Sequence, residues 1–514
     1  MPGLQLGEGR QVAQYVDMII RGASVYDGTG AAAEQADIAI DGEHIARVGD
    51  VSGLTARHEL EAEGLAVAPG FIDVHTHDDF AALLYPDMGF KLRGGVTTCI
   101  VGNCGFGAAP FAEACVLARA IHPRLELRHY EGYAGYFDRL REQPPGVNIG
   151  VLAGHGTLRL ATMGSADRAP DDAEMRRMKS LLGEALQTGV LGMSSGLIYE
   201  PGRYATTDEL VELAAEMRGS GGLYATHMRD EGTGLLDSVD EAIQIGRRAG
   251  VPVQISHHKA SGRESWGLVA RSIELIEAAL QRGEDVHADQ YPYTAGSTIL
   301  RAVLENGAFL PPSASGGRGG IGAVRGEDVL IASAAGHPDW EGRSIAALAE
   351  RFGVDARTAA EWVLESAPDA TVILHLMDES DVQRVLGHPS TMIGSDGIPT
   401  LEGRPHPRLY NSFARVLGHY ARDLGVLSLA EAIHRMTGMS ARKFGLVGRG
   451  VIREGACADL VVFDPATVID RGTFESPNLY PDGILHVIVN GEQAVRDGAL
   501  AGARVGQALR RQAR

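Results

Sequence analysis

The stretch Pro69-Gly-Phe-Ile-Asp-Val-His-Thr-His77 decides the architecture. The short apolar run over 67–74 reads as a strand buried on both faces, the habit of a parallel sheet. It ends in two histidines one residue apart. Alternation along an extended chain turns both imidazoles to the same side. Working outward, the same design repeats. Further short apolar strands are expected at 97–101, 148–153, 191–194, 223–227, 253–256, 285–289 and 391–395, separated by amphipathic helical stretches. Eight strands in such alternation suit a (β/α)8 barrel, with a doubly wound sheet as the other architecture weighed. The order of the reactive residues favours the barrel. The first strand leads to His75 and His77, the second to Cys104, the fifth to His227, the sixth to His257 and His258, and the eighth to Asp396. In a parallel barrel all these strand ends share one face, where active sites are built.

The two ends of the chain read differently. Asp17-Met-Ile-Ile-Arg-Gly-Ala-Ser-Val-Tyr26 and Ala36-Asp-Ile-Ala-Ile40 are strand-like and run into Asp-Gly turns, as do Ala458-Asp-Leu-Val-Val-Phe-Asp464 and His486-Val-Ile-Val-Asn-Gly491. A small β-sandwich built from both termini is expected, over 1–67 and 445–514, around a barrel over 68–444. The barrel carries an insertion at about 295–389 between its seventh and eighth strands. Within the insertion, Pro311-Pro312 and the glycine-rich tract at 316–322 have the composition of a lid loop.

Composition bounds the partners. The 514 residues carry 47 Lys and Arg against 66 Asp and Glu, a formal net charge of −19. That balance argues against nucleic acid, which is bound by basic surfaces. A small anionic substrate remains compatible, because a cationic pocket can sit inside an acidic shell. No apolar run reaches membrane-spanning length, and residues 1–14 lack the pattern of a signal peptide. Four cysteines, Cys99, Cys104, Cys115 and Cys457, are too few for a disulfide framework and suit a reducing cytoplasm. Oligomeric state has no signature in the sequence.

A lone histidine at a strand end is usually structural, and His155, His258 and His287 are read that way. The His75/His77 pair at the end of its apolar strand is read as a metal site. Cys104 sits in Gly102-Asn-Cys-Gly-Phe-Gly107, where glycines allow close approach to a centre. With His227 and His257 it offers ligands suited to Zn2+, and Asp396 adds a carboxylate. Cys99, Cys115 and Cys457 are read as structural.

Together these stretches resemble the amidohydrolase superfamily, and within it the N-acyl-D-amino-acid deacylases, or D-aminoacylases. The resemblance spans nearly the whole chain. It rests on 69–79, Val101-Gly-Asn-Cys-Gly105, Ser194-Ser-Gly-Leu-Ile-Tyr-Glu-Pro-Gly202, Tyr224-Ala-Thr-His-Met-Arg-Asp-Glu231, Ile255-Ser-His-His-Lys259, Asp289-Gln-Tyr-Pro-Tyr293, Gly394-Ser-Asp-Gly397 and His406-Pro-Arg408. Many superfamily members bridge two metals with a carbamylated lysine at the fourth strand. This chain reads Leu191-Gly-Met-Ser-Ser-Gly196 there, and the resemblance implies that the Cys104 thiolate takes that part. It further implies one tight zinc on Cys104, His227 and His257, and a second, weaker position on His75, His77 and Asp396.

The activity so implied is hydrolysis of the amide of an N-acyl-D-amino acid to a carboxylate and a free D-amino acid. Asp396 would be the proton-transfer residue. Lys259, Tyr291 and Arg408 would bind the α-carboxylate, with Ser297 and either Met193 or Ser195 along the pocket. Relatives specific for acidic substrates use an additional arginine. In the alignment that position falls nearer Leu304 here, which favours neutral or hydrophobic side chains. Arg301 is the cation that would restore acidic ones. The alternatives are an N-acyl-D-glutamate or D-aspartate deacylase and, lower, a cyclic amidase of the dihydroorotase or hydantoinase type. A non-catalytic barrel is the reading from another class, and the retention of all six candidate ligands speaks against it.

Overall fold

The computed structural model describes residues 14–119, 121–122, 126–309 and 320–511. Eight parallel strands follow one another around a barrel: β1 (Phe71–Asp73), β2 (Val96–Val101), β3 (Asn148–Gly154), β4 (Gly192–Gly196), β5 (Leu223–His227), β6 (Val253–Ile255), β7 (Val286–Gln290) and β8 (Thr391–Ile393). Each falls where the apolar runs put it. β2, β3 and β4 are buried at every position, as expected of strands covered on both faces. The helices between them obey ordinary start and stop chemistry. Asp171 and Glu174 form a capping box at the head of helix Asp172–Thr188, and left-handed Gly189 ends it. That helix lays Met175, Met178, Leu182 and Ala185 against the core.

The seam between β1 and β8 is closed by side chains more than by backbone. One parallel bridge, Thr76 to Gly397, joins the two ends. Asp73 does the rest. Its Oδ1 accepts from the Ser395 amide at 2.8 Å, and its Oδ2 accepts from Ser395 Oγ at 2.6 Å and from Lys91 Nζ at 2.7 Å. Lys91 is buried and also donates to Thr76 Oγ1 and Ser395 Oγ, each at 2.9 Å.

The run at 67–74, read as one strand, is two. Ala66–Pro69 pairs antiparallel with Leu460–Phe463, whereas β1 pairs parallel with β2. Gly70 separates them because a Cβ there would lie 2.2 Å from the Thr97 side chain. The small sheet has nine strands drawn from both ends of the chain. Its path runs Ala499–Leu500, Glu492–Arg496, Ile484–Val489, Leu460–Phe463, Ala66–Pro69, Gln14–Val25, Glu34–Asp41 and His44–Gly49, with Leu54–Glu61 also on Gln14–Val25. Beyond it the chain returns to the barrel, where Ala508–Leu509 pairs in parallel with β3.

The insertion is a folded unit. Gly296–Ile299, Thr371–Leu374 and Val329–Ser333 form an antiparallel sheet. It has its own apolar cluster, including Leu300, Val303, Ile331, Ile345, Leu348, Val363 and Val372. Most of the expected lid tract, including Pro311-Pro312, lies outside the described residues. Its end, Gly320–Gly322, packs against Ile198, Arg229 and Ser261.

Candidate metal centre and cavity

Six side chains from five strand ends meet at the barrel mouth. The possible ligand atoms of His75, His77 and Cys104, of Cys104, His227 and His257, and of His75, His257 and Asp396 lie within 4.8 Å of one another in each group. Cys104 is central. Its Sγ is 3.4 Å from His75 Nε2, 3.6 Å from His257 Nε2 and 3.7 Å from His227 Nδ1. Asp396 Oδ1 faces the other side, 3.2 Å from His77 Nε2 and 3.5 Å from His75 Nε2. Burial pushes the Cys104 thiol up, but the charge of His75 and hydrogen bonds from the three nearest histidines outweigh it and hold the group well below its ordinary range. A thiolate among imidazoles and a carboxylate, all within ligation distance, is a donor set that fits zinc.

The backbone is bent to make this possible. Cys104, His257 and Asp396 have φ of 53°, 36° and 49°, a left-handed region that is costly for residues with a Cβ. Each is held. The His257 amide donates to Asp289 Oδ1 at 2.7 Å, and the Asp396 amide to the His75 carbonyl at 2.7 Å. The Cys104 loop rests on β4, where the Gly105 amide donates to Ser194 Oγ at 3.0 Å and a Cβ at Gly196 would meet the Cys104 carbonyl at 2.0 Å. The Ser-Ser-Gly of the fourth strand is therefore the seat of the cysteine loop.

Carboxylates orient the rings from behind. Asp289 Oδ1 lies 3.1 Å from His75 Nδ1. Glu231 Oε1 lies 2.9 Å from His257 Nδ1, and its Oε2 lies 3.8 Å from His227 Nε2. His77 Nδ1 has no hydrogen-bond partner. Neither Asp289 nor Glu231 was assigned from the sequence. The signals were present: Asp289 ends the seventh strand, and Glu231 stands four residues after His227.

A cavity opens beside the cluster, lined on its polar side by His227, Glu231, His257, Lys259, Tyr291, Ser297 and Asp396. Its apolar lining includes Ile198, Ile321, Leu374, Leu376 and Met377. Arg408 lies behind it, fully buried. Its Nη2 donates to Asp396 Oδ2 at 2.9 Å and to the Ser297 carbonyl at 3.1 Å, while Nε and Nη1 have no partner. The Arg408 guanidinium and the Lys259 ammonium lie 4.4 and 5.8 Å from the Tyr291 ring centre.

Other expected residues fall elsewhere. Arg301 is exposed on helix Leu300–Glu305 and is absent from the described lining, as is Leu304, which is buried in the insertion's core. Met193 and Ser195 are buried in β4 away from that lining, with Ser195 Oγ tied to Tyr224 and Thr226. The histidines read as structural have structural partners: His155 pairs with Glu209, His258 with Ser272 and His287 with Asp285. All four cysteines are free.

Comparison with known proteins gives a coherent answer. The model of the amidohydrolase family matches residues 58–306 and 320–495. The chain is 42% identical to a D-aminoacylase of Alcaligenes xylosoxydans xylosoxydans over 98% of its length and 99% of that protein's. It is 40% identical to an N-acyl-D-glutamate deacylase of the same organism, covering 97% of each. It superposes with a TM-score of 0.87 and 39% identity on the N-acyl-D-glutamate deacylase of Bordetella bronchiseptica, solved with zinc and a phosphonate mimic of the tetrahedral intermediate, covering 97% of this chain and 100% of that one.

Proposed function

The chain belongs to the amidohydrolase family, and from that premise we propose that it is a zinc-dependent deacylase of N-acyl-D-amino acids. The observation that carries the reading is the pairing of two chemistries across one cavity. Zinc-type donors and the Lys259 ammonium line the cavity, and a buried arginine with two unpaired nitrogens, Nε and Nη1, lies behind Asp396. An N-acyl amino acid has the matching pair, a scissile amide one carbon away from a carboxylate.

Cys104, His227 and His257 would hold the tight zinc, with His75, His77 and Asp396 as donors for a second, weaker position. Bound there, zinc supplies Lewis acidity at the scissile carbonyl and water acidic enough to react near pH 7. Asp396 accepts the proton of the attacking water at a carboxylate oxygen and delivers it to the leaving nitrogen. Arg408 fixes the orientation of Asp396 through Oδ2 and keeps its carboxylate charged, offsetting burial. Lys259, Tyr291 and the free edge of Arg408 bind the α-carboxylate. With the amide and the carboxylate both fixed, only one configuration at the α-carbon sends the side chain into the remaining space.

The apolar lining supports a neutral or hydrophobic side chain. Lys259 and Arg408 are both engaged by the α-carboxylate, and Arg301 points away from the cavity. An acidic preference is the second reading, favoured by the close match to a D-glutamate deacylase. A cytoplasmic location belongs to the same proposal, since four free cysteines suit a compartment where thiols stay reduced. The test is kcat/KM for N-acetyl-D-Leu, N-acetyl-D-Met and N-acetyl-D-Glu and for their L forms, with zinc quantified. D-Leu or D-Met leading is expected. D-Glu leading overturns the side-chain preference, and hydrolysis of none of the D substrates overturns the activity.

A further inference from the structure

Glu231 has three basic neighbours and no role in the chemistry described above. It is 2% exposed, on the loop that follows β5. Its Oε1 accepts from Lys259 Nζ at 2.6 Å and lies 2.9 Å from His257 Nδ1. Lys259 Nζ in turn lies 2.9 Å from the same His257 Nδ1 and donates to the His257 carbonyl at 3.0 Å. These distances pose a choice. An ammonium only donates, so Lys259 can bond Nδ1 only when that nitrogen carries no proton. The ring proton then sits on Nε2, the nitrogen 3.6 Å from Cys104 Sγ, and blocks it as a ligand. A carboxylate only accepts, so Glu231 bonds Nδ1 only when it does carry the proton, which leaves the Nε2 lone pair facing the centre.

In the structure it is Lys259 that hydrogen-bonds Nδ1, with Glu231 Oε1 standing 2.9 Å from the same nitrogen. We infer that Glu231 is a positioning residue that, when zinc takes Nε2, sets the metal-binding tautomer of His257 by displacing Lys259 from Nδ1. By taking one Lys259 N–H for itself, it leaves Lys259 with its backbone bond to the His257 carbonyl and one N–H free for the substrate carboxylate. The second carboxylate oxygen lies 3.8 Å from His227 Nε2, which has no hydrogen-bond partner, so the charge of Glu231 reaches that ring without bonding it. This rests on the assignment of Cys104, His227 and His257 to zinc. It does not depend on which acyl amino acid is hydrolysed.

The test is zinc affinity, measured by competition with a chromophoric chelator in the absence of substrate. Glu231→Ala should weaken zinc binding roughly 10- to 100-fold, the usual effect of losing an orienting partner. The decisive variant is Glu231→Ala with Lys259→Met. With the competing ammonium gone, the Nε2 lone pair is available again, and most of the lost affinity should return. Glu231→Met, alone and with Lys259→Met, repeats the comparison with a side chain of similar length and no strong acceptor if the alanine variants fail to fold. An unchanged affinity in the single variants, or a loss that removal of Lys259 does not restore, overturns the proposal. If wild-type protein deacylates no N-acyl-D-amino acid yet the zinc pattern holds, the proposed function fails and this inference stands.

Discussion

At the residue scale, the site is made by positions that a local rule would avoid. Cys104, His257 and Asp396 all have positive φ, and each brings a reactive atom to the centre. Such strain persists only where surrounding bonds over-determine it. Asp396 shows how tightly: its amide, Oδ1 and Oδ2 face His75, His77 and Arg408. Asp396→Asn keeps the shape and removes the basic oxygen. It should lower kcat by about 10²- to 10⁴-fold while the tight zinc on Cys104, His227 and His257 stays in place. Near-normal turnover would remove Asp396 from the proton-transfer role. A second residue bears on acid stability. Burial pushes His122 down from 6.5 to about 4, and its Nε2 has no partner. The folded state therefore refuses a proton that the unfolded chain accepts. Stability present above pH 6.5 is lost as the pH falls towards 4. His122→Leu should flatten the acid limb between pH 6 and 4.5 by about 2 kcal/mol, read from urea unfolding at each pH. Equal limbs for the two proteins would show that His122 is not the group responsible. The ligand types themselves were legible in the sequence because strand ends converge. Glu231 and Asp289 were not, since a carboxylate that backs a histidine has no spacing rule of its own. Arg301, the cation named as able to restore acidic substrates, is exposed on a short helix of the insertion.

At the element scale, the barrel strands were legible nearly to the residue, because most begin as short apolar runs and carry their polar residues towards the ends that meet at the mouth. What escaped was the split at Gly70. Two adjacent apolar strands look like one when a single glycine separates them, and only the close approach of Thr97 reveals the break. The insertion itself was expected, and what escaped, for the opposite reason, was the sheet inside it. Its short strands pair with partners distant in sequence, as when Gly296–Ile299 meets Thr371–Leu374. The closing seam was also hidden, because it depends on a lysine from one helix and an aspartate from β1. Lys91 and Asp73 lie 2.7 Å apart with exposures of 2% and 0%, and Asp78 lies 3.3 Å from the same nitrogen. Removing one partner of such a pair leaves buried charge uncompensated, at a cost of about 3–5 kcal/mol. Lys91→Met should therefore shift urea unfolding by that amount. Lys179→Met, which breaks an exposed pair with Glu212, should cost about 1 kcal/mol or less. Equal effects would mean that Lys91 does not close the barrel.

At the scale of the whole molecule, the formal charge of −19 invites the expectation that acid lies on outer helices, away from the mouth. Five carboxylates, Asp73, Asp78, Glu231, Asp289 and Asp396, nevertheless stand buried at or beside the mouth. They do not repel an anionic substrate because each faces a cation or an imidazole, among them Lys91, Lys259, His75 and Arg408. The core is shared in part: one face of the small sheet joins the barrel's cluster, while its other face keeps a cluster with Ile20, Ile38, Val67 and Leu460. One apolar cluster contains Val461, Phe463 and Val487 of the small sheet together with Phe71, Val101, Ile149 and Ile255 of the barrel. A polar bridge runs alongside it, with Asn148 Nδ2 donating to Asp459 Oδ2 at 3.2 Å and Asn490 Nδ2 donating to Asn148 Oδ1 at 2.8 Å. The insertion keeps a separate cluster. Elements that share a core open together, and elements with their own core can open alone. Zinc on the barrel should therefore stabilise the small sheet as well, because a ligand that binds only the folded state protects everything that unfolds with its site. In hydrogen exchange with and without a chelator, amides of Leu460–Phe463 and of β3 should lose protection by the same factor on zinc removal. Amides of Val329–Ser333 in the insertion should change less. If the small sheet kept its protection while the barrel lost it, the two would be separate folding units despite their common core.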